Sequence, residues 1–529
     1  MTELLHQLIS NTSAKMPAQI ALRHKNRSIN YHDLDDAVLK ASNGLLAYGL
    51  SPNERVAIYL PKLPETVISI FASSLAGGCF VPINPLLKPR QVQHILIDSG
   101  ARILITSHDR HERLKSVLEK CHDLSSVILI NTEEKHQENF KYSVTNWAEL
   151  ISHKTSPPTP QRINTDIAAI LYTSGSTGRP KGVVLSHQNL VTGAKSVASY
   201  LNNSASDRVL AALPLSFDYG LSQLTTMFYV GGTAVLMDYL TAGDIINKIK
   251  EEKITGLAGV PPLWNQIINH DHFDEALNSL RYITNSGSAL PQTTLSKLKN
   301  TLNNCQIFLM YGLTEAFRST YLPPDKIDLY PGSIGKAIPN VEIMVVRDDG
   351  SPCAPGEPGE LVHRGPLVSL GYWNDPGKTA KHFKPVPNKS TALPLPEIAV
   401  WSGDNVKMDE DGYLYFIGRR DEMIKTSGYR VSPTEIEEVI YSSKLVDEAI
   451  ALGIPHPTID QAIAIVATTP KGEALDNEAL LLHCKRQLPS FMQPLAIFQE
   501  AQLPRTPNGK IDRKYLARKF NHTFLTHSD

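Results

Sequence analysis

Between residues 92 and 130 the chain switches repeatedly between two hydrophobic periods that cannot share one secondary structure. VQHILIDSG spaces its apolar residues for a helix, RILIT is a short β-branched run, HERLKSVLEK returns to helical spacing and SVILI to a strand. Similar alternation runs through most of the chain and predicts an α/β fold with helices covering sheets. No internal repeat or low-complexity tract interrupts it. At 529 residues the chain exceeds the size at which a single hydrophobic core stops growing, so more than one domain is expected. Two Pro-rich polar stretches, 152–162 and 384–397, read as surface connections. A sharper boundary falls at 418–425, where GRRDEMIK joins a Gly- and strand-rich region to an acidic helix, TEIEEVIYSS. The last ~105 residues suffice for a small α+β domain.

Composition removes several classes of function. Apolar residues make up 42% and charged residues 20%, as in ordinary globular proteins, and the formal net charge is -1. With no long Lys or Arg run, nucleic-acid binding is not expected, whereas charged small ligands stay open. The five cysteines are scattered and form no C-x-x-C pair, so neither a disulfide framework nor a zinc site is expected. The opening MTELLHQLIS lacks the basic and apolar segments of a signal peptide. The most apolar stretch, 67–83, is broken by Ser73, Ser74, Gly77, Gly78 and Pro82. It is too short to span a membrane and reads as a buried helix running into a strand. A cytoplasmic location is the expectation.

The strongest chemical signal is YTSGSTGRPKG, residues 172–182, directly after the apolar run AAIL. A loop dense in Gly, Ser and Thr after a strand makes a phosphate cradle. Gly175 and Gly178 let backbone N–H groups approach closely, Thr173, Ser174, Ser176 and Thr177 bring hydroxyls, and Lys181 brings charge. A Walker A loop would need Gly-Lys-Ser/Thr, but here Pro180 precedes the lysine and Gly182 follows it. No two glycines of the chain stand in G-x-G spacing, which disfavours a dinucleotide fold.

This loop closely resembles the phosphate loop of the adenylate-forming superfamily: acyl-CoA synthetases, peptide-synthetase adenylation domains and firefly luciferase. The resemblance covers essentially the whole chain, in order. INYHDL at 29–34 and LAGGCFVPINP at 75–85 match early structural motifs. YGLTE at 311–315, GELVHRG at 359–365, WSGDNV at 401–406, GRRDEMIK at 418–425, SGYRVSPTEIE at 427–437 and PRTPNGKIDR at 504–513 match later ones. Within the superfamily the chain looks most like AMP-forming ligases of exosortase systems and stand-alone prolyl-adenylating enzymes. The resemblance implies a large multi-sheet N-terminal domain, 1–420, and a small mobile α+β C-terminal domain, 421–529. It also implies ATP with Mg²⁺ as cofactors, and coenzyme A or a carrier protein's phosphopantetheine as the thiol. The activity it implies is that of an AMP-forming ligase, which activates a carboxylic acid as an acyl-adenylate and passes it to the thiol; a luciferase-like oxygenase and a catalytically dead binding protein are the other readings of the same fold.

Roles follow residue by residue from the resemblance. Tyr311 offers a ring to adenine, Gly312 and Thr314 sit by the phosphates, and Glu315 offers a hard oxygen to Mg²⁺. Asp404 would accept from the ribose hydroxyls and Arg419 reach ribose or phosphate from the hinge side. Lys510 would bridge the substrate carboxylate and α-phosphate, although PNGK taken alone is a turn with an exposed lysine. Asp421 matches the hinge about which the C-terminal domain swings between half-reactions, and Gly428 lies near the tunnel for the pantetheine arm. The acyl pocket is aligned with LPLSFDYGLS, 213–222, where Phe217 falls at an aromatic gate. Tyr219, Ser222, Gly259, Thr284, Ser286, Met310 and Arg318 align with specificity positions. Asp218 occupies the place where amino-acid-activating domains hold the α-ammonium. A carboxylate in a desolvated pocket is costly unless paired, so an unpaired Asp218 calls for a substrate ammonium, unless a neighbouring Ser or backbone amide satisfies it. The mixed lining favours a small or polar acid, with a small cyclic amino acid such as proline as first trial, and leaves Arg318 able to hold a second carboxylate. The other reading is an acyl-CoA synthetase for a medium-chain or other non-amino acid.

Overall fold

The computed structural model describes the chain except for residues 1, 133–139, 154–160, 174–179, 271–276, 288, 303, 388–393, 420–422, 470–473, 505–510 and 526–529, and the side chains of 277, 293, 419 and 434. The expected alternation is present. Helix Pro89–Ser99, strand Ala101–Ser107, helix His108–Leu118 and strand Ser126–Ile130 follow one another. The apolar stretch 67–83 is helix Pro64–Leu75 running into strand Cys79–Pro82, both buried. Of the two stretches read as connections, 154–160 and 388–393 lie outside the described residues.

Among the described residues the strands form sheets of 14, 7 and 5 strands. In the seven-stranded sheet five consecutive strand pairings are parallel, and Ile167–Thr173 then turns back antiparallel onto Lys181–Ser186. In the largest sheet, Arg208–Ala211, Thr233–Leu236, Gly256–Gly259, Tyr282–Asn285 and Gln306–Tyr311 run parallel before antiparallel strands extend it. Strands buried on both faces read as continuous apolar runs, which is why AAIL and SVILI carry no alternation. Helices Tyr31–Ala47, Pro64–Leu75, His187–Tyr200 and Asp218–Val230 contribute to one shared core. There Phe228 meets Phe71 edge-on at 5.3 Å and Tyr31 at 6.1 Å. The Tyr31 hydroxyl, deep in this apolar layer, donates to the Gly232 carbonyl at 2.7 Å, so its polar end is satisfied.

The five-stranded sheet is built from Ile424–Thr426, Tyr429–Val431, Glu448–His456, Asp460–Thr468 and Ala496–Gln499, with its own core around Ile436, Ile440, Ile465 and Leu480. The architecture is a mixed α/β fold with a large N-terminal domain and a small C-terminal one. Ligand crevices in parallel sheets open outside the carboxyl ends of the strands. Here those ends lead to Phe217, Val260, Ser286 and Thr314, which line one cavity.

Candidate active site

The cavity measures about 650 Å³, within the range of small-molecule sites, and lies between the large domain and the Gly428–Arg430 edge of the small one. Strand Ile167–Thr173 ends at the phosphate-loop sequence, and antiparallel pairing sets Thr173 opposite Lys181. Ser174, Gly175, Ser176, Thr177 and Gly178 lie outside the described residues. Lys181 Nζ donates to the Tyr372 hydroxyl at 2.8 Å and stands 3.2 Å from Glu315 Oε1, while Tyr372 donates to the same Glu315 oxygen at 2.7 Å. Lys181 also sits 4.1 Å above the Tyr372 ring. Burial alone would push the Glu315 carboxyl up, but Lys181, the Tyr372 hydroxyl and Arg430 together hold it down at about 2. Glu315 is therefore a fixed anion at any physiological pH. Tyr372 completes this triangle, and sequence reasoning missed it: it stands in LGYWN, a loop whose residues carry no spacing or charge signal.

Strand Gln306–Tyr311 delivers Tyr311, Gly312, Thr314 and Glu315 in succession, the last two on a single 3-10 turn. The Tyr311 hydroxyl donates to Asp404 Oδ2 at 2.5 Å, so these two are brought together across the sheets. Asp404 is buried in strand Ile398–Met408, where pairing sets Arg419 opposite it. The Arg419 side chain, Asp421 and Lys510 lie outside the described residues. Beyond Lys510, Ile511 packs with the small domain's Leu452 and Phe520 core, and Arg513 pairs with Glu437 at 2.6 Å.

Phe217 caps the start of helix Asp218–Val230 and meets Tyr429 of the small domain at 5.0 Å, 63° between rings. Asp218 does not wait for a substrate ammonium. Arg318 Nη1 donates to its Oδ2 at 2.9 Å, so the carboxylate is paired within the protein and the argument for an amino acid loses its premise. Burial pushes the Asp218 carboxyl up, against the opposing pull of Arg318, the Tyr219 amide and Arg430. The guanidinium lies 4.8 Å from the Tyr219 ring centre, and the Tyr219 hydroxyl bonds Thr284. Tyr219 and Arg318 separate the main cavity from a smaller one of about 30 Å³, which Ser222, Thr284 and Met310 line. Ser286 faces the main cavity. Gly259 lines neither; a Cβ there would lie 2.6 Å from the Trp264 ring, so its glycine serves packing.

On the small domain, Gly428 has φ +80°, and its position against Val260 puts the Gly428–Arg430 edge on the cavity. Tyr429 stacks on Phe491 at 3.8 Å, a second pair of cavity-lining rings. Sequence reasoning singled out only the glycine of SGYR. Among the described residues no group of three or more His, Cys, Asp or Glu side chains gathers to hold a metal, and no helix is long and apolar enough to cross a membrane.

Comparison with known proteins agrees with this architecture. A family model described as AMP-binding enzyme matches residues 9–373, and one described as AMP-binding enzyme C-terminal domain matches 435–510. A long-chain-fatty-acid–CoA ligase of Salmonella typhimurium is 30% identical, over 97% of this chain and 94% of its own. A feruloyl-CoA synthase of Amycolatopsis sp. is also 30% identical, over 95% and 96%. Among solved structures, an o-succinylbenzoate CoA synthetase of Bacillus subtilis superposes with TM-score 0.83 at 24% identity, covering 96% of this chain and 97% of that one. An amide bond synthetase of Marinactinospora thermotolerans gives 0.85 at 22%, covering 98% and 99%.

Proposed function

The chain belongs to the AMP-binding enzyme family of ATP-dependent, AMP-forming ligases, and from that premise we propose that it joins a short, non-amino carboxylic acid to coenzyme A through an acyl-adenylate. The observation that carries the acid assignment is the Asp218–Arg318 pair. It removes the ammonium site that an amino acid would need, and with Tyr219 it closes the acyl end of the cavity. The space behind, about 30 Å³, holds a water molecule or two, not a fatty chain. Coenzyme A is favoured over a carrier protein because the two relatives at 30% identity are, by their names, a CoA ligase and a CoA synthase.

In this reading the acid's carboxylate attacks the α-phosphate of ATP and expels pyrophosphate, and the thiol then displaces AMP. The loop 174–179, Thr173 and Lys181 hold the phosphates; Gly312 and Thr314 border them. Lys181 and Glu315 contact each other, so incoming phosphate oxygens would take over part of the lysine's partnership. The site suits Mg²⁺: Mg²⁺ needs few protein ligands when phosphates and water supply the rest, and Glu315 stays ionised. Bound there, the ion would neutralise phosphate charge. Tyr311 and Asp404 hold the adenosine, Asp404 through the ribose hydroxyls, with Arg419 nearby. Lys510 neutralises charge at the α-phosphate during adenylation. We place the domain boundary between 420 and 421, with Asp421 as hinge. We take the arrangement described above, with Gly428 at the cavity, as the thiol-transfer one. The deciding experiment is ATP–pyrophosphate exchange with a panel of acids, followed by AMP release with coenzyme A. The reading requires exchange with a short acid and AMP release that depends on coenzyme A. Exchange with amino acids alone would overturn it.

A further inference from the structure

Arg318 is only 2% exposed, yet three of its five N–H donors have no partner among the described residues. Nη1 donates to Asp218 Oδ2 and to the Phe317 carbonyl, both at 2.9 Å. Nε and Nη2 are buried without a partner among the described residues. A guanidinium N–H left unpaired away from water is costly, more so than a neutral donor. The Nε–Nη2 edge is also the pair of parallel donors that receives oxygen acceptors best. Nor is the side chain free to swing away, because the rings of Tyr219 and Phe317 lie 4.8 and 5.5 Å from its centre. Around the small cavity that Arg318 and Tyr219 border, two further buried atoms lack a partner among the described residues, Gln223 Oε1 and Thr226 Oγ1.

Resting on the acyl-CoA ligase reading, we propose that the acid activated here carries an uncharged oxygen toward its distal end, as a short oxo or hydroxy acid does, and that the Nε–Nη2 edge of Arg318 receives it. The charge balance selects a neutral group. Asp218 already offsets Arg318, and a second substrate carboxylate would set two anions on one guanidinium. A hydroxyl has the added advantage that it can donate onward to an acceptor such as Gln223 Oε1, which a ketone cannot.

The test is kcat/KM for ATP–pyrophosphate exchange with length-matched pairs: butyrate against 3-hydroxybutyrate, and pentanoate against 4-oxopentanoate and pentanedioate. The wild-type enzyme should prefer an oxygenated acid over its alkyl match by about tenfold or more, with pentanedioate below 4-oxopentanoate. Arg318→Lys keeps a cation for Asp218 but loses the fork, and should shrink that ratio several-fold. The ratio within each protein is the readout, so a general loss of activity does not disguise it. If Arg318→Lys does not fold, the paired variant Asp218→Asn with Arg318→Gln removes both charges together and should shrink the ratio likewise. Alkyl acids equal to or better than their oxygenated matches, or pentanedioate best of all, would overturn the inference and leave the ligase reading standing. So would exchange with hexadecanoate and none of the short acids. Exchange with amino acids alone would remove the acyl-CoA ligase reading itself.

Discussion

The two walls of the cavity are built differently. On the large domain, Lys181, Tyr372 and Glu315 close a triangle of contacts no longer than 3.2 Å, and Asp218 and Arg318 neutralise each other beneath it. These four charges are answered from within the protein. The small domain approaches through an aromatic contact between Tyr429 and Phe217, the Gly428 backbone against Val260, and the Arg90–Glu438 pair at 3.2 Å, both of whose side chains are largely exposed. Exposed pairs of that kind contribute little. In the reading proposed for this site, one wall is pre-organised for a reaction in which charge develops, and the other is held loosely enough to leave.

If that contrast is right, damage to the first wall should cost most. Glu315→Ala removes the partner of both Lys181 and Tyr372, and should lower the rate of pyrophosphate exchange by on the order of 10³. Since Glu315 is held near 2, the wild-type rate should show no titration from this group between pH 5 and 9. An ionisation in that window that disappears in Glu315→Gln would break the picture. Lys510→Ala should come next, with adenylation down by on the order of 10²–10³ and thioester formation from a pre-made acyl-adenylate preserved. Equal losses in the two half-reactions would mean that the small domain does not exchange faces.

What could be read from the sequence divides along similar lines. The elements between 92 and 130, and the buried helix and strand of 67–83, were legible because period and β-branching dictate them locally. Lys181, Tyr311 and Glu315 were singled out because chemistry and motif order coincide, and the structure sets Lys181 against Glu315 and Tyr311 against Asp404. Tyr372 was not: it is 57 residues from the glutamate it bonds, and nothing in LGYWN announces a hydroxyl aimed at a carboxylate. Asp218 was recognised as a buried acid needing a partner, but the partner was misjudged. Arg318 was read as one of several specificity residues, able to hold a second carboxylate, whereas helix Asp218–Val230 and the turn after Glu315 bring it within 2.9 Å of Asp218 across 100 residues. Long-range pairing of that sort carries no signal in a single chain.

At the loosely held wall, Gly428 separates two explanations for a glycine. Its φ of +80° is strained for any residue with a Cβ, and that Cβ would press on Val260 at 3.1 Å. Gly428→Ala and Gly428→Asn should both leave exchange within about threefold while cutting CoA thioester formation by roughly 10- to 100-fold. Asn tolerates positive φ several-fold better than Ala. If Asn restores thioester formation and Ala does not, backbone conformation alone explains the glycine.

The smallest expected effect is a dependence of domain docking on pH, and it comes from Glu435. This residue opens helix Pro433–Ser442 of the small domain, is buried and bonds Gln91 of the large one; burial pushes its carboxyl up to about 7. Gln91 is already committed through its Oε1 to the Lys88 amide at 3.0 Å, so its amide N–H is what remains for the carboxyl. The sign follows from which form the contact prefers. A carboxyl raised by docking is held more tightly as the acid, so the docked arrangement bears no penalty well below the ordinary value of 4.5. The penalty grows as pH rises through the interval from 4.5 to about 7, and is complete above it. With this docking taken as the thiol-transfer arrangement, thiol transfer should therefore slow relative to adenylation as pH is raised from 5.5 to 8, once thiolate formation is corrected with a pH-matched thiol control. Glu435→Gln keeps the shape and the partner but cannot ionise. It should flatten that relative decline and leave pyrophosphate exchange unchanged within about twofold. A decline of the same slope in Glu435→Gln would show that the small domain's hold on the cavity does not depend on this carboxyl, and would move the origin of any pH effect to the first wall.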